Sequence, residues 1–216
     1  MKNLSVLIPA RAGSERVKCK NIRPFAGSSL LRIKIAQMKR LGLIVYVSTE
    51  CKHIARIARK EGASIIWRNP VFAESSTSMR DVYKYIARNF PDKIMLYANC
   101  TNPLIGDAEV ATAIAHYQRI KPDSLNSCHR VNEFLWQHEE PLNYDHWNQP
   151  RSQDLPTVAL NFAVNIVSRD YLADTGMLVS GDPYLFEVHH ESGFDIDNES
   201  DFDYAEFLYK KYHDVQ

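Results

Sequence analysis

A chain of 216 residues, 45% hydrophobic and 11% aromatic, can bury a sizeable core; a wholly disordered chain is excluded, and one α/β domain over residues 1–216 is expected. Its 26 Lys and Arg balance 26 Asp and Glu, so it lacks the global positive field of a general nucleic-acid or membrane binder, and neither partner is expected. The apolar runs are strand-sized, far below the roughly 20 residues that span a bilayer, and no signal peptide is expected. The four cysteines lack close metal spacing and read as free thiols, which suits a cytoplasmic location.

Residues 4–9 form a short apolar run consistent with a buried strand, and a polar loop, 11–21, follows. Leu30, Leu31, Ile33, Ile35, Met38 and Leu41 then recur at helical spacing, with Gly42 placed to end the helix. Residues 43–47 are a continuous apolar run of the kind found in strands covered on both faces. A helix over 51–61 stops at Gly62, a strand follows at 63–67, a helix at 79–90, a strand at 93–97 and a helix at 107–119. This β-loop-α repetition predicts a three-layer, Rossmann-like α/β fold around a mostly parallel sheet.

From 121 to about 156 the pattern degrades, and three of the ten prolines and two of the three tryptophans, Trp136 and Trp147, fall there. Such an excursion crosses an active site or packs on another subunit, so residues 123–156 are expected to form an inserted arm that makes a homodimer. Residues 158–167 resume as a strand, and Phe202, Ala205, Leu208 and Tyr212 mark a last helix.

In an open parallel sheet, ligands gather at the carboxyl ends of the strands. The first loop carries Arg11, Ser14, Arg16, Lys18 and Lys20, suited to phosphate oxygens, and Gly13, which lets backbone amides approach a ligand. It is neither a Walker loop nor GxGxxG, and a solvated basic turn is the alternative. Near the other end, Asp195 and Asp197 are spaced i, i+2, so on an extended segment both carboxylates point to one side and, with substrate phosphates, suit Mg²⁺. The competing reading has Asp197, Asn198 or Ser200 capping the last helix. His189 and His190 read as a strand-edge pair, and His129, His138 and His146 are too irregularly spaced to suggest zinc. No GxSxG or base-flanked cysteine points to a nucleophilic enzyme.

The stretch Ile8-Pro9-Ala10-Arg11-Ala12-Gly13-Ser14, followed by Lys20-Asn21-Ile22, resembles the opening motif of the sugar-acid cytidylyltransferases, the CMP-N-acylneuraminate synthetases and their CMP-KDO synthetase cousins. The resemblance runs along nearly the whole chain: Val47-Ser48-Thr49-Glu50, Arg68-Asn69-Pro70 with 75–81, Cys100-Thr101-Asn102-Pro103-Leu104, Arg151-Ser152-Gln153-Asp154-Leu155-Pro156, and Asp195-Ile196-Asp197. It implies a Mg²⁺-dependent nucleotidyltransferase using one or two ions, in which the anomeric hydroxyl of a 2-keto-3-deoxy sugar acid attacks the α-phosphorus of CTP and pyrophosphate leaves. It places Arg11, Gly13, Ser14, Lys20 and Asn21 on the triphosphate, Arg68, Thr77 and Ser78 on the rest of the nucleotide, and Asp195 and Asp197 on the metal. Arg11, Lys20 and Asp197 carry the chemistry. Asn99, Thr101, Arg151, Gln153 and Asn161 fall at the sugar.

Sugar recognition is where the sequence departs. Asn99 stands for the family's Gln, Ile105 and Ser152 for arginines, and Phe162 for the Gly of an Asn-Gly-Ala segment. Either another residue holds the acceptor's carboxylate or the acceptor differs. A nucleotidyltransferase for a sugar phosphate or alditol phosphate, or a nucleotide-binding homologue without turnover, are the alternatives.

Overall fold

Strand β1 (Leu4–Pro9) is apolar at almost every position because protein covers both its faces. It pairs in parallel with β2 (Val45–Thr49) on one side, Val6 opposite Val45, and with β4 (Ile94–Tyr97) on the other, Val6 opposite Leu96. Strand β3 (Ser64–Trp67) continues the sheet beyond β2. The computed structural model describes residues 3–13 and 16–213.

Alternate residues of β1 feed opposite cores. Val6 and Ile8 join the side covered by α1 (Leu30–Arg40), α2 (Lys52–Lys60), α4 (Asp107–Ile120) and α6 (Glu199–His213). Leu7 joins the side covered by α3 (Met79–Asn89) and α5 (Arg169–Thr175). The expected three layers are present. Gly42, at φ +73, ends α1 as its spacing predicts, in a left-handed conformation that other residues adopt only with strain.

The sheet has seven strands in the order β3-β2-β1-β4-β8-β5-β9, completed by β5 (Ser124–Arg130), β8 (Val158–Ser168) and β9 (Tyr184–Glu187). Only β8 runs against its neighbours, so four of the six pairings are parallel. Strand order reverses at β1 and β4, which opens the crevice where a doubly wound sheet binds its ligand.

The excursion expected at 123–156 begins later than its sequence suggests. Residues 124–130 are β5, inside the sheet, and the chain leaves only between 131 and 157. Strand β5 hides its nature because its buried side chains are polar: the Ser124 hydroxyl donates to Asn126 Oδ1 at 2.8 Å, and Asn126 Nδ2 donates to Asn165 Oδ1 on β8 at 3.0 Å. Satisfied polar groups replace the apolar pattern that would have announced it. The excursion carries a two-stranded ribbon, β6 (Trp136–Gln137) with β7 (Glu140–Pro141), and a 3-10 turn at Ser152–Asp154. Among the described residues, no helix is long and apolar enough to cross a membrane.

Candidate active site

Past β1 the chain turns into the basic loop, and three ties fix it there. The Ala12 N–H donates to Glu50 Oε1, just beyond β2, at 2.7 Å. The Arg11 guanidinium donates to the Ala73 carbonyl at 3.1 Å, reaching the turn Pro70–Ala73. Asn21 accepts the Leu31 N–H at 2.9 Å, so the loop's far end is moored to the first turn of α1. Between these ties Arg11, Arg16, Lys20 and Asn21 line a cleft of about 490 Å³, whose opposite wall holds Arg68, Thr77, Asn99 and Thr101.

Arg68 is buried, donating to the hydroxyl and carbonyl of Ser48 at 3.3 Å each. Burial pulls its guanidinium below the ordinary range, neighbouring Arg11 adds to the pull, and Tyr97 and Glu50 oppose it. Such concentrated, partly desolvated positive charge, at the mouth of the strand-order switch, is chemistry that a polyphosphate relieves. Thr77 lines the cleft while donating to the Val71 carbonyl. Ser78 caps α3 by accepting the Asp81 N–H at 3.2 Å and does not line the cleft.

The acidic segment arrives from the far end of the chain. The Ile196 N–H donates to the Thr101 carbonyl at 2.9 Å, and Lys20 Nζ donates to the Ile196 carbonyl. The basic loop and the Asp195-Ile196-Asp197 segment therefore share one site. Asp197 meets Arg16 at 2.7 Å, an exposed pair worth little by itself. Asp195 keeps an open face, yet the protein around it withdraws enough water to raise its carboxyl above the ordinary carboxylate range. Asp197 raises it further, against the pull of the Thr101 hydroxyl, Lys20 and the Ile196 N–H. Burial lowers the Lys20 ammonium, and Asp195 and Asp197 partly restore it.

The helix-capping alternative is resolved by the neighbours of the pair. Asn198 Oδ1 accepts the Asp201 N–H at 3.0 Å, while Asp201 Oδ2 accepts the N–H groups of Asp197 and Asn198 at 2.8 and 2.9 Å. Asn198 and Asp201 thus cap α6 reciprocally, and the carboxylates of Asp195 and Asp197 are left to the site.

Both aspartates also line a second cavity of about 290 Å³, bounded by His129, Asn161, Phe162 and His190. Lys20 and Thr101 line the larger cleft while Asp195 and Asp197, the neighbours of Ile196, line the second cavity, so the Lys20–Ile196–Thr101 junction links the two. Strand β8 makes this second wall by bulging: from Asn126–Asn165 to Cys128–Leu160 the register advances two residues on β5 and five on β8. Phe162 sits in the bulge at φ +55, the left-handed region, at the position where the sequence comparison expected Gly. The bulge is pinned by polar groups, with the Phe162 carbonyl accepting from Asn165 Nδ2 at 2.9 Å and Asn99 Nδ2 at 3.3 Å. Gly193 is required opposite it, because a Cβ there would lie 2.1 Å from Asn161 Nδ2.

A cytidylyltransferase family model matches residues 5–215. The chain belongs to the cytidylyltransferase family. It is 28% identical over 229 residues to the post-translational flagellin modification protein B of Campylobacter coli, covering 98% of this chain and 97% of that one. It is 26% identical over 224 residues to the CMP-N,N'-diacetyllegionaminic acid synthase of Campylobacter jejuni, covering 96% and 95%. It is 27% identical over 216 residues to the N-acylneuraminate cytidylyltransferase A of Danio rerio, but there the chain, 95% covered, spans only half of the relative's length. A solved CMP:2-keto-3-deoxy-manno-octonic acid synthetase, complexed with CTP, superposes with a TM-score of 0.73 at 14% identity over 98% of this chain and all of that one. That likeness carries the fold.

Within this cytidylyltransferase the structure gathers Arg11, Lys20, Asn21, Arg68, Thr77, Asn99 and Thr101 at the larger cleft, and Asn161, Asp195 and Asp197 at the second cavity. Ser14 lies outside the described residues. A Cβ on Gly13 would meet nothing within 4 Å among the described residues, so their packing does not demand glycine there. Arg151 and Gln153 line neither cavity: Arg151 is spent on Asp154 at 2.7 Å, and Gln153 is exposed. Within one chain they are not brought to the acidic pair. Ile105, standing for an arginine, is buried, and its carbonyl accepts from Gln37 Nε2 at 2.6 Å, so this position serves the core.

Two structural members of the site were missed. Asn102 is fully buried and donates from Nδ2 to the carbonyls of Asn161, Gly193 and Phe194 at 3.2–3.3 Å, stitching the loop after β4 to both walls of the second cavity. Lys34 holds the Asn102 carbonyl at 2.9 Å from α1. A lysine on the apolar face of a predicted helix, three residues before a glutamine on that same face, was the available signal.

Proposed function

We propose that this cytidylyltransferase moves CMP from CTP to the anomeric hydroxyl of a 2-keto-3-deoxy sugar acid of the nonulosonic or octulosonic class, releasing pyrophosphate. The observation that carries the reading is the Lys20–Ile196 contact, which joins a cationic cleft to a pair of carboxylates across 176 residues of sequence. The names of the relatives, which include an N-acylneuraminate cytidylyltransferase and a diacetyllegionaminic acid synthase, support the acceptor class.

In this reading the triphosphate lies along Arg11, Lys20 and the first loop, and the cytidine extends toward Arg68 and Thr77. The acceptor enters from the second cavity, so its hydroxyl meets the α-phosphorus beside the junction. The hydroxyl oxygen forms the new bond to the α-phosphorus, its proton passing to water, as the bond from the α-phosphorus to the oxygen bridging to the β-phosphate breaks, and the charge that shifts onto pyrophosphate is met by Arg11 and Lys20. The protein's work is positioning and charge compensation, which in-line phosphoryl chemistry chiefly requires.

The donor set fits Mg²⁺. Two like-charged carboxylates line one cavity, and burial, with the Asp197 charge adding to it, holds the Asp195 carboxyl above the ordinary carboxylate range, a cost that a divalent cation would relieve. Among the described residues no group of three or more His, Cys, Asp or Glu could hold a metal, so substrate phosphates would complete the shell. One or two ions held by Asp195 and Asp197 would neutralise phosphate charge. The active form in this reading is a cytoplasmic homodimer, in which the excursion 131–157 carries Arg151 and Gln153 toward the partner's acceptor cavity.

The test is a pyrophosphate-release screen of CTP and UTP against N-acetylneuraminic, legionaminic, pseudaminic and 3-deoxy-manno-octulosonic acids, and against sugar and alditol phosphates. Release with CTP and one acid supports the reading. Release only with a phosphorylated acceptor overturns the acceptor class, and nucleotide binding without release overturns the enzymatic reading.

A further inference from the structure

Among the described residues no Lys or Arg lines the second cavity, and Arg16, which pairs with Asp197, lines the larger cleft, so within one chain an acid acceptor meets chiefly neutral donors in the second cavity. Its polar lining, apart from the two aspartates, is Asn161, His129 and His190. What His129 can offer is decided by the hydrogen bonds of Asn161.

The amide of Asn161 has one admissible orientation. One terminal atom lies 3.2 Å from the Ala163 backbone N–H, which can only donate, so that atom is the carbonyl oxygen. The same oxygen accepts from the Ser127 hydroxyl at 2.6 Å, and that hydroxyl accepts the Val164 N–H at 2.9 Å. The other terminal atom is therefore the amide nitrogen, and it faces His129 Nδ1 at 3.4 Å. An amide nitrogen only donates, so a hydrogen bond here requires an unprotonated Nδ1 and leaves the ring's single proton on Nε2. Ser127 and His129 are two apart on β5, on one face, so the residue that pins the bulge and the residue that lines the cavity are held in register.

We propose that His129 is a specificity-determining residue that donates a neutral hydrogen bond from Nε2–H to an oxygen of the acceptor, its tautomer being set by Asn161. This rests on reading the second cavity as the acceptor's side of the site. The Nε2 atom makes no other hydrogen bond among the described residues. His190 stands edge-on to the ring, centroids 4.7 Å apart at 88°, and restrains it laterally. Partial burial and the nearby His190 both lower the pKa of His129, while Glu133 opposes them, in keeping with a ring that works uncharged. The ligand class is an oxygen-rich acid recognised by neutral donors, which suits a cavity lined, among the described residues, by the carboxylates of Asp195 and Asp197 and by no Lys or Arg.

Two measurements test it. Long-range ¹H–¹⁵N spectra of protein labelled at its histidine rings, assigned through His129→Gln, report the tautomer directly. The expected result is an Nε2-protonated neutral ring at pH 7.5, and an Nδ1–H tautomer or an imidazolium overturns the proposal. Steady-state kinetics with CTP and the acid found in the screen supply the second. His129→Ala is expected to raise the acceptor KM about 10- to 100-fold while the CTP KM moves less than twofold, the loss of one good hydrogen bond. His129→Gln, whose amide donates from near the same place, is expected to recover at least part of that loss. An acceptor KM within twofold of wild type in His129→Ala overturns the proposal while leaving the cytidylyl-transfer reading intact. Absence of wild-type turnover with every acid defeats both together.

Discussion

Replacing Lys34 with Met tests how the scaffold behind the site is held. Lys34 is fully buried on α1, donates to Gln37 Oε1 and the Asn102 carbonyl at 2.9 Å each, and makes no ion pair among the described residues. Burial lowers its pKa from 10.5 to about 8, with Cys100 and Asp107 pulling the other way. A lysine with a folded pKa below its unfolded value binds fewer protons when folded, so stability rises with pH between about 8 and 10.5. The full difference corresponds to about 3 kcal/mol, of which about 1 kcal/mol develops between pH 7 and pH 9. Burial pushes the Cys100 thiol up from 9.0 to about 12, so its opposite contribution, a loss of stability with rising pH, starts only near pH 9. Lys34→Met removes the titration while keeping an unbranched chain of similar length. At pH 7 the relief of a buried charge and the loss of two hydrogen bonds, each about 1–3 kcal/mol where a partner is left buried and unpaired, nearly offset each other. The diagnostic is therefore the slope. Urea unfolding at pH 7, 8 and 9 should show wild type gaining about 1 kcal/mol relative to Lys34→Met across that range. Parallel pH profiles for the two proteins would refute the reasoning, because they would mean that Lys34 does not titrate differently on folding.

The Asp197→Asn variant should lose at least about 100-fold in kcat with CTP and its acceptor while its thermal unfolding is unchanged, since the side chain is half exposed and, among the described residues, its ion pair is with Arg16; undiminished turnover would remove Asp197 from the cation site. Phe162→Gly should change stability by no more than about 1 kcal/mol despite the loss of a ring, because relief of left-handed strain, roughly 1–2 kcal/mol, offsets the lost burial; a loss above about 3 kcal/mol by urea unfolding would show that the ring packs as core. Trp136 and Trp147, 51% and 92% exposed, should be covered in a dimer, so sedimentation at micromolar concentration is expected to give dimers, and changing both to Ser to give monomers; a monomeric wild type would refute the arm's role.

The half of the chain that alternates strand and helix was legible because parallel strands buried on both faces advertise themselves as apolar runs, and Gly42 and Gly62 end their helices at left-handed positions. The site's charged members were legible individually. Arg11 and Lys20 follow β1 and Asp195 and Asp197 precede α6 as charged residues in loops, while the Lys20–Ile196 contact that brings the two segments together exists only in the fold. Strand β5 was not legible. Ser124, Asn126 and Ser127 are buried by pairing with each other and with β8, and that pairing exists only in three dimensions. The short α5 gave no periodicity long enough to read, and β9, four residues alternating in exposure at the sheet's edge, gave little more. The capping of α6 was legible in composition but not in assignment, since Asp197, Asn198, Ser200 and Asp201 can all cap and only geometry shows that Asn198 and Asp201 do.

What joins these observations is a buried polar chain where an apolar core would have been simpler. From α1, Lys34 holds the Asn102 carbonyl, and the Asn102 amide holds the carbonyls of Asn161, Gly193 and Phe194. Asn161 in turn fixes His129, and the Gly193–Phe194 peptide leads directly into Asp195. Each link costs desolvation, and Asn102 Oδ1 has no partner at all among the described residues. Apolar residues would bind these elements without direction, because hydrophobic contact tolerates sliding and the hydrogen bonds here, at 2.9–3.4 Å, tolerate it less. The proposed in-line transfer would need the second cavity, the acidic pair and the larger cleft in fixed register, and misplacement by about 1 Å can cost on the order of 100-fold in rate. The polar chain supplies that register from the rigid face of a helix. Mutations along it should therefore depress kcat by more than their effect on stability predicts, whereas substitutions of Leu31 or Ile35 on the same helix should act through stability alone.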